Sequence, residues 1–405
     1  MNRFIENRGK ISFMHIVFMF VFFASMNLFN WFYYLILIAL AVFVISPSRQ
    51  LQFGGFSSIA LLMLGISWMV FSPMSQESIF ALVKPYIYFF CFVIGSSMVE
   101  HKEKIPTKDA ENRFRNLISV CASGAFVHYA LNWIKNRNSG ERNTVDIWTN
   151  TSIAATGQAA LACFALAIAI AILFSKSSRS KKVVAIAVIV LIFLYNLILS
   201  GRTLILLFLS TCAIAFVHLL VKQKKGKIRV LLLVLLVICV LITIYRADSL
   251  GIRSTVENSP LYDRFFGENS VNELDEDGRW KQKLDHIQNM DEALWGGAHL
   301  REKYGHAHDI FFDTYDEAGI IALVGLFIYM LMTVRRLIKC ITSSNLSFDF
   351  KQRVLCIYFV AYMEFMIEPI LQGMPWMFAL FCLIDGYVGR MISYGQNEHY
   401  EMDRV

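Results

Sequence analysis

Two adjacent blocks of sequence decide the fold. Residues 183–199 read VVAIAVIVLIFLYNLIL, and residues 203–221 read TLILLFLSTCAIAFVHLLV. Neither block contains Lys, Arg, Asp or Glu, and each is long enough to cross the roughly 30 Å hydrocarbon core of a bilayer as a helix. Only Ser200, Gly201 and Arg202 separate the blocks, so the pattern predicts a tight hairpin of two transmembrane helices.

The same pattern recurs along the chain. Hydrophobic residues make up 56% of the 405 residues and charged residues 17%, against about 45–50% and about 25% in soluble proteins. This composition excludes a soluble enzyme, a disordered protein and a disulfide-stapled secreted domain. The sequence predicts an all-α integral membrane protein with about 12 transmembrane helices. The predicted spans are 11–28, 31–46, 57–72, 79–98, 115–134, 152–174, 183–199, 203–221, 230–245, 318–337, 354–371 and 376–393.

The distribution of Lys and Arg predicts the orientation of these spans. With the N-terminus in the cytoplasm, the inner segments carry 25 of the 38 Lys and Arg residues, whereas the short outer loops carry 4. Short cytoplasmic loops are enriched in these residues, so both termini are predicted to be cytoplasmic. The net charge of +7 is then a topology signal, and nucleic acid is not an expected partner.

Three regions follow from this topology. Residues 1–245 hold predicted helices 1–9, and residues 318–405 hold helices 10–12 with a cytoplasmic tail. Between them lies the one large hydrophilic segment, about 246–317, which faces outward and is expected to carry short helices. Its scattered aromatic residues favour a small folded element on the membrane surface over a linker.

Several charged residues fall inside or beside the predicted spans. Lys84 lies in the outer third of the fourth span, and Glu364 and Glu368 lie four residues apart on the eleventh. Residues with this spacing share one face of a helix. Charged residues inside a membrane commonly line a cavity or a pathway, although helix–helix hydrogen bonding is the alternative. We predict that these three line an outward-facing polar cavity.

Three further residues converge on the outer face: Arg202, Arg279 in the large loop, and His308 just before the tenth span. Arg presents a fork of donors that matches phosphate oxygens, and His can accept a proton near neutral pH. Together they suit a lipid-linked phosphate substrate and a hydroxyl acceptor. Arginines at a membrane face can instead simply meet water or lipid head groups. The spacing of His299, His306 and His308 fits no zinc pattern, so neither a metal nor another cofactor is expected.

In these residues the chain resembles the O-antigen polymerase and O-antigen ligase superfamily of bacterial envelope glycosyltransferases. In that family a histidine is followed by one further residue, then by nine residues, and then by a glycine. Here the histidine is His308, the further residue is Asp309, and nine residues separate Asp309 from Gly319. Asp309 stands where the family favours Asn, Ser or Gln, and Ala322 departs from the family's Gly, Thr or Tyr. Arg202, Arg279 before Trp280, and the pair Gly296-Gly297 match further positions.

The resemblance implies a metal-independent, inverting glycosyltransferase in the bacterial inner membrane, with 246–317 as its extracytoplasmic catalytic loop. The implied donor is an oligosaccharide on undecaprenyl pyrophosphate. By residue matching, His308 would be the general base, and Arg202 and Arg279 would bind the pyrophosphate. Membrane lipid is a further partner, and the sequence leaves open whether a chain-length regulator binds.

Three functions share these features. A polymerase of lipid-linked repeat units of O-antigen or capsule type is favoured, because Asp309 departs from the ligase-like pattern. An O-antigen ligase would use the same donor but transfer it to the lipid A core. A polysaccharide flippase would explain charged residues inside spans, yet the chain shows no repeat of its first half in its second.

Overall fold

The computed structural model describes residues 13–45, 51–73, 84–99, 108–138, 143–222, 243, 246, 252–258, 262 and 278–402. Within these ranges the chain is almost entirely helical. The first eight helices are α1 Phe13–Ser25, α2 Phe32–Ile45, α3 Phe56–Phe71, α4 Ile87–Ser97, α5 Lys108–Asn136, α6 Ala155–Leu173, α7 Arg179–Leu199 and α8 Arg202–Lys222. The others are α9 Ile252–Glu257, α10 Gly278–Gln288, α11 His299–Tyr304, α12 Ile310–Thr342, α13 Phe348–Phe365, α14 Ile370–Gly373 and α15 Pro375–Met402.

A small sheet interrupts the helices between α5 and α6. Strands β1 (Thr144–Val145) and β2 (Ser152–Ile153) pair antiparallel, with Thr144 opposite Ile153. This hairpin closes the segment that carries Asp146.

Among the described residues, six helices are long and apolar enough to cross a membrane: α5, α6, α7, α8, α12 and residues Pro375–Ser393 of α15. Each overlaps a span predicted from the sequence, so an all-α membrane protein is supported. Helices α1, α2 and α3 are apolar but shorter, at 13, 14 and 16 residues. The predicted span 230–245 lies outside the described residues. The described ranges thus hold six helices of full spanning length, not the full set of about 12 predicted spans.

Prolines shift the ends of two predicted spans. Helix α4 begins at Ile87, after a 3₁₀ turn of Lys84–Tyr86, so Lys84 precedes the helix. Helix α13 ends at Phe365, before the predicted end at residue 371. Pro85 and Pro369 explain both shifts, because proline lacks an N–H donor and disfavours helical conformation in the residue before it.

The core is built around α6, which packs against α5, α7, α8 and α13. Most of its side chains are small and nearly all are buried. Helices α4 and α15 cross at backbone contact, because a Cβ on Gly95 would collide with the Leu383 carbonyl oxygen. By contrast, α7 and α8 present exposed apolar side chains such as Val183, Leu206 and Val217, a surface suited to lipid.

The segments between helices gather at two ends of the bundle. Contacts between distant segments define each end: Trp148 Nε1 donates to the Met26 carbonyl (3.0 Å), and the Ser347 amide donates to Glu111 (2.8 Å). The site end is formed by residues 26–31, 143–154, 200–201, 278–309 and 366–374. The opposite end includes residues 51–55, 174–178 and 343–347.

Candidate functional site

Arg202 is positioned by the hairpin between α7 and α8. Helix α7 ends at Leu199, Ser200 adopts a left-handed conformation (φ 52°), and the Asn196 side chain donates to the Gly201 carbonyl oxygen (2.9 Å). A Cβ on Gly201 would displace the Asn196 side chain from this contact, so glycine suits the turn. The predicted hairpin is confirmed, and it fixes Arg202 as the first residue of α8 at the site end.

Arg279 is the second residue of α10, and its guanidinium joins the large loop to the helical bundle. Its Nη1 donates to the Ile367 carbonyl oxygen (3.0 Å), and its Nη2 donates to Glu368 Oε1 (3.1 Å) and Thr156 Oγ1 (3.4 Å). The side chain is one-third exposed. The fork of donors is therefore held in place while part of it still reaches the surface.

His308 lies in a loop that a buried carboxylate shapes. Asp313 accepts hydrogen bonds from the amides on both sides of the histidine, Ala307 N (2.9 Å) and Asp309 N (3.1 Å). His308 itself has φ 54°, a left-handed conformation that is uncommon for a residue with a side chain. We infer that Asp313 stabilises this backbone and thereby sets the direction of the His308 ring.

Asp309 caps the helix that follows. Its side chain accepts a hydrogen bond from the Phe311 amide (3.0 Å), and its other oxygen lies 3.4 Å from Lys283 Nζ. Burial raises the pKa of Asp309, and the charge of Lys283 opposes that rise. Asn and Asp are about equally good N-caps, so the departure from the family's preferred residues preserves the cap.

The glycines of the motif allow the large loop to touch the helix that follows His308. Gly319 breaks α12 with φ 78°, and a Cβ there would lie 2.7 Å from the Trp295 carbonyl carbon. A Cβ on Gly296 would lie 2.7 Å from the Glu317 carbonyl oxygen, which accepts from the Gly297 amide (3.2 Å). The spacing from His308 to Gly319 therefore corresponds to a short helix followed by this backbone contact.

One cavity of about 460 Å³ brings Arg202, Arg279 and His308 together. We call it the arginine–histidine cavity. Lys283 adds a further cation to its wall. The rest of the wall is mostly apolar and includes Ile205, Leu206, Leu209, Met366 and Ile367. Leu206 and Leu209 also belong to the exposed apolar surface of α8, so the cavity adjoins the face of the bundle that suits lipid.

The surroundings of His308 favour its neutral form. Burial, followed by the positive charge of Arg279, lowers the pKa of His308 to about 4, although the carboxylate of Asp313 acts in the opposite direction. Its Nδ1 atom has no hydrogen-bond partner among the residues that the structure describes. At neutral pH the ring can therefore accept a proton, as a general base must.

The three residues predicted to line a polar cavity differ in position. Lys84 and Glu368 line a second cavity of about 640 Å³, which we call the polar cavity. Glu364 is fully buried within the bundle and does not line either of these two cavities, so its cavity-lining role stays a prediction. The helix ends between the two glutamates, so only Glu368 lies in the loop that reaches the cavity.

The polar cavity also contains a histidine–aspartate pair. His128 Nε2 lies 2.6 Å from Asp146 Oδ2, and the Trp148 and Thr149 amides donate to Asp146 Oδ1 (2.8 and 2.9 Å). Burial would raise the pKa of Asp146, but these contacts hold it well below its usual range. The sequence did not predict this pair, because Asp146 lies in a loop without periodicity.

Asp313 and Lys283 were missed as well. Asp313 lies four residues after Asp309 at the start of a helix, and this spacing was the signal that could have identified it.

Among the described residues, no three His, Cys, Asp or Glu side chains are placed to hold a metal ion. Comparisons with models of known protein families and with curated proteins find no match. The geometry of these residues therefore carries the functional interpretation.

Proposed function

We propose that the chain polymerises lipid-linked repeat units of a bacterial surface polysaccharide, of O-antigen or capsule type. The observation that carries this proposal is the arginine–histidine cavity, where two guanidinium groups and a neutral histidine share one space with an apolar wall. Arg202 and Arg279 are more than 70 residues apart in sequence, so a shared cavity is not a trivial result of their spacing.

The cavity matches the chemistry of a polyprenyl pyrophosphate. Its arginines supply charge-assisted donors for the phosphate oxygens. Its apolar wall on α8 suits the start of the prenyl chain, whose remainder would lie in lipid. No metal or other cofactor enters this proposal, because the arginines provide the positive charge.

The proposed reaction is one displacement at the anomeric carbon of the donor sugar. The acceptor hydroxyl oxygen forms the new glycosidic bond and gives its proton to His308. The bond between the anomeric carbon and the pyrophosphate oxygen breaks, and undecaprenyl pyrophosphate leaves with the electron pair. Arg202 and Arg279 stabilise the charge that builds on that oxygen. A single displacement inverts the anomeric centre.

A reconstituted assay tests this function. Purified protein in lipid nanodiscs is mixed with the lipid-linked repeat unit of the host, without sugar nucleotide and with a metal chelator. A polymerase produces a ladder of lipid-linked oligomers. Transfer to added lipid A core without a ladder would identify a ligase, and neither product would contradict the transferase proposal.

The proposal includes a topology, in which about 12 spans cross the inner membrane and the site end faces outward. Thr151 and Ser344 are exposed at the site end and the opposite end. Thr151→Cys and Ser344→Cys form a matched pair of variants. In both, the native Cys212 and Cys239 are replaced by alanine. An impermeant maleimide should label Thr151→Cys in intact spheroplasts and Ser344→Cys only after lysis. The reverse pattern would place the site in the cytoplasm and exclude the proposed reaction.

A further inference from the structure

The polar cavity carries a cluster of polar atoms that lack partners. Four buried atoms on its lining residues have no hydrogen-bond partner among the described residues: Asn27 Oδ1, Tyr33 Oη, His128 Nδ1 and Gln372 Oε1. Buried polar atoms in folded proteins are nearly always paired, so several unpaired atoms around one space indicate a missing ligand or water. Asn27 and His128 are 7% and 2% exposed, so bulk solvent does not satisfy them.

The chemistry of these atoms indicates what the ligand must offer. Asp146 is held ionised, so His128 Nε2 donates to it, and His128 Nδ1 accepts in the neutral ring or donates in the protonated ring. The Gln372 amide nitrogen donates to the Asp313 carbonyl oxygen (2.9 Å), which leaves Gln372 Oε1 as an acceptor. Asn27 Oδ1 is a second acceptor. These atoms require a ligand that both donates and accepts hydrogen bonds, as a hydroxyl group does, whereas an ionised phosphate or carboxylate offers acceptors alone.

The remaining walls also suit a polyol. Trp376 and Tyr33 contribute aromatic surface, and Thr149 and Thr151 contribute hydroxyl groups. A sugar ring has apolar C–H faces and hydroxyl groups at its edge, so it can use both kinds of wall. The volume of about 640 Å³ lies within the usual range of small-molecule sites, roughly 300–1,000 Å³.

The polar cavity lies beside the arginine–histidine cavity. Arg279 lines the latter, Glu368 lines the polar cavity, and the two side chains form an ion pair (3.1 Å) between them. We propose that the polar cavity is an oligosaccharide-binding site, in which Asn27 and Gln372 accept hydrogen bonds from sugar hydroxyls and His128 Nδ1 forms a hydrogen bond with another hydroxyl. Its place as the subsite for the glycan next to the reacting bond rests on the proposed function, whereas sugar binding itself does not.

Binding can be measured without catalysis. The probe is the water-soluble oligosaccharide released by mild acid from the lipid-linked glycans of the host, added to full-length protein in nanodiscs. Saturation-transfer NMR gives its dissociation constant. Wild type and Lys281→Ala should bind it equally, because Lys281 is exposed and does not line the polar cavity. Inorganic pyrophosphate serves as the anion probe and should not displace the oligosaccharide.

Two pairs of variants locate the binding. Ser152 lines the polar cavity and Ser344 lies at the opposite end, and both are exposed. Ser152→Trp should abolish binding, and Ser344→Trp should not. Asn27 and Asn150 both have left-handed backbones, with φ 47° and 56°, which glycine tolerates. Asn27→Gly should weaken binding about 2- to 10-fold through one lost acceptor, whereas Asn150→Gly should leave it unchanged.

The outcomes separate the two proposals. Binding that Ser152→Trp abolishes, without any transfer activity in wild type, supports the sugar site and contradicts the transferase. Absence of wild-type binding overturns the sugar site, whatever the transfer assay shows, and leaves water as the partner of the unpaired atoms. Wild-type affinity in Ser152→Trp also overturns it. All variants must elute as single species with wild-type thermal transitions, and Asn27→Gly provides the test if Ser152→Trp fails to fold.

Discussion

The two histidine–aspartate arrangements at the site end use the carboxylate in opposite ways. In residues 306–313, the Asp313 carboxylate binds the backbone on either side of His308. In residues 143–154 the Asp146 carboxylate binds the ring of His128 directly, at 2.6 Å. The first arrangement fixes the backbone and leaves the ring available. The second fixes the orientation of the ring.

This difference suggests different tasks for the two histidines. A ring bound to a buried aspartate has one nitrogen committed as a donor, which suits a hydrogen-bonding role towards a ligand. The ring of His308 is kept neutral by burial and by Arg279, and its Nδ1 has no partner among the described residues, so it is available to accept a proton. If the comparison is right, removing His308 should stop the chemistry, whereas changing the His128 side should chiefly alter affinity.

The largest effect is expected for His308→Ala. A general base typically contributes about 10²- to 10⁴-fold, so polymer should disappear and a single lipid-linked repeat should remain. Quantitative gels of reconstituted enzyme measure this. His306→Ala is the matched control, because His306 lies two residues away and does not line the arginine–histidine cavity. A wild-type rate for His308→Ala would assign the motif to packing at the start of α12.

A smaller effect is expected for the arginines. Arg202→Ala and Arg279→Ala should each lower transfer about 10- to 150-fold, since each loses a charge-assisted contact of about 1.5–3 kcal/mol. Arg→Lys should rescue little, because lysine keeps the charge but lacks the fork. Lys281→Ala, an exposed cation on the same helix as Arg279, is the control. Equal losses in all variants would indicate a general charge effect and remove the pyrophosphate role.

Asp313→Asn tests the backbone role directly. Asparagine has one acceptor oxygen, so it can keep only one of the two amide contacts. We expect kcat to fall about tenfold with little change in KM for the donor, because His308 loses its position while the arginines remain. Asp316→Asn is the control, since Asp316 likewise binds two backbone amides, Leu300 N (2.7 Å) and Arg301 N (2.9 Å). Equal kcat losses in both variants would indicate destabilisation alone.

How far the sequence could predict this site depends on how local each feature is. Arg202 was predictable because its hairpin is closed within a few residues, by Asn196 and Gly201. Glu364 and Glu368 were assigned together because helical spacing groups them, yet the helix ends between them and only Glu368 lines the polar cavity. The pair of His128 and Asp146 was not predictable, because a two-stranded hairpin rather than a periodic element brings the aspartate back to α5.

The smallest effect, and the finest test of the comparison, is the pH dependence of kcat/KM for the donor. This ratio reports the free enzyme, in which the pKa of His308 is about 4. The base is then neutral at pH 7 and at pH 5, so kcat/KM should change less than about 2-fold between them and fall only towards pH 4. With the ordinary histidine pKa of about 6.5, kcat/KM would instead fall about 25-fold over the same interval.

Folding must be checked in parallel. Because the pKa is depressed in the folded protein, this group's contribution to stability is complete above pH 6.5 and declines as the pH falls from there towards 4. Chemical denaturation at pH 5 and 7 therefore gives the folded fraction by which each rate is corrected.

The charged groups around the His308 ring that also affect its pKa are Arg279, Lys283, His306 and Asp313. Of these, Lys283→Met offers the sharpest control. Because the charge of Lys283 lowers the pKa of His308, removing it should move the acidic fall of kcat/KM to a higher pH. If kcat/KM of the wild type falls near pH 6.5, and this fall does not move in Lys283→Met, then a group other than His308 accepts the proton.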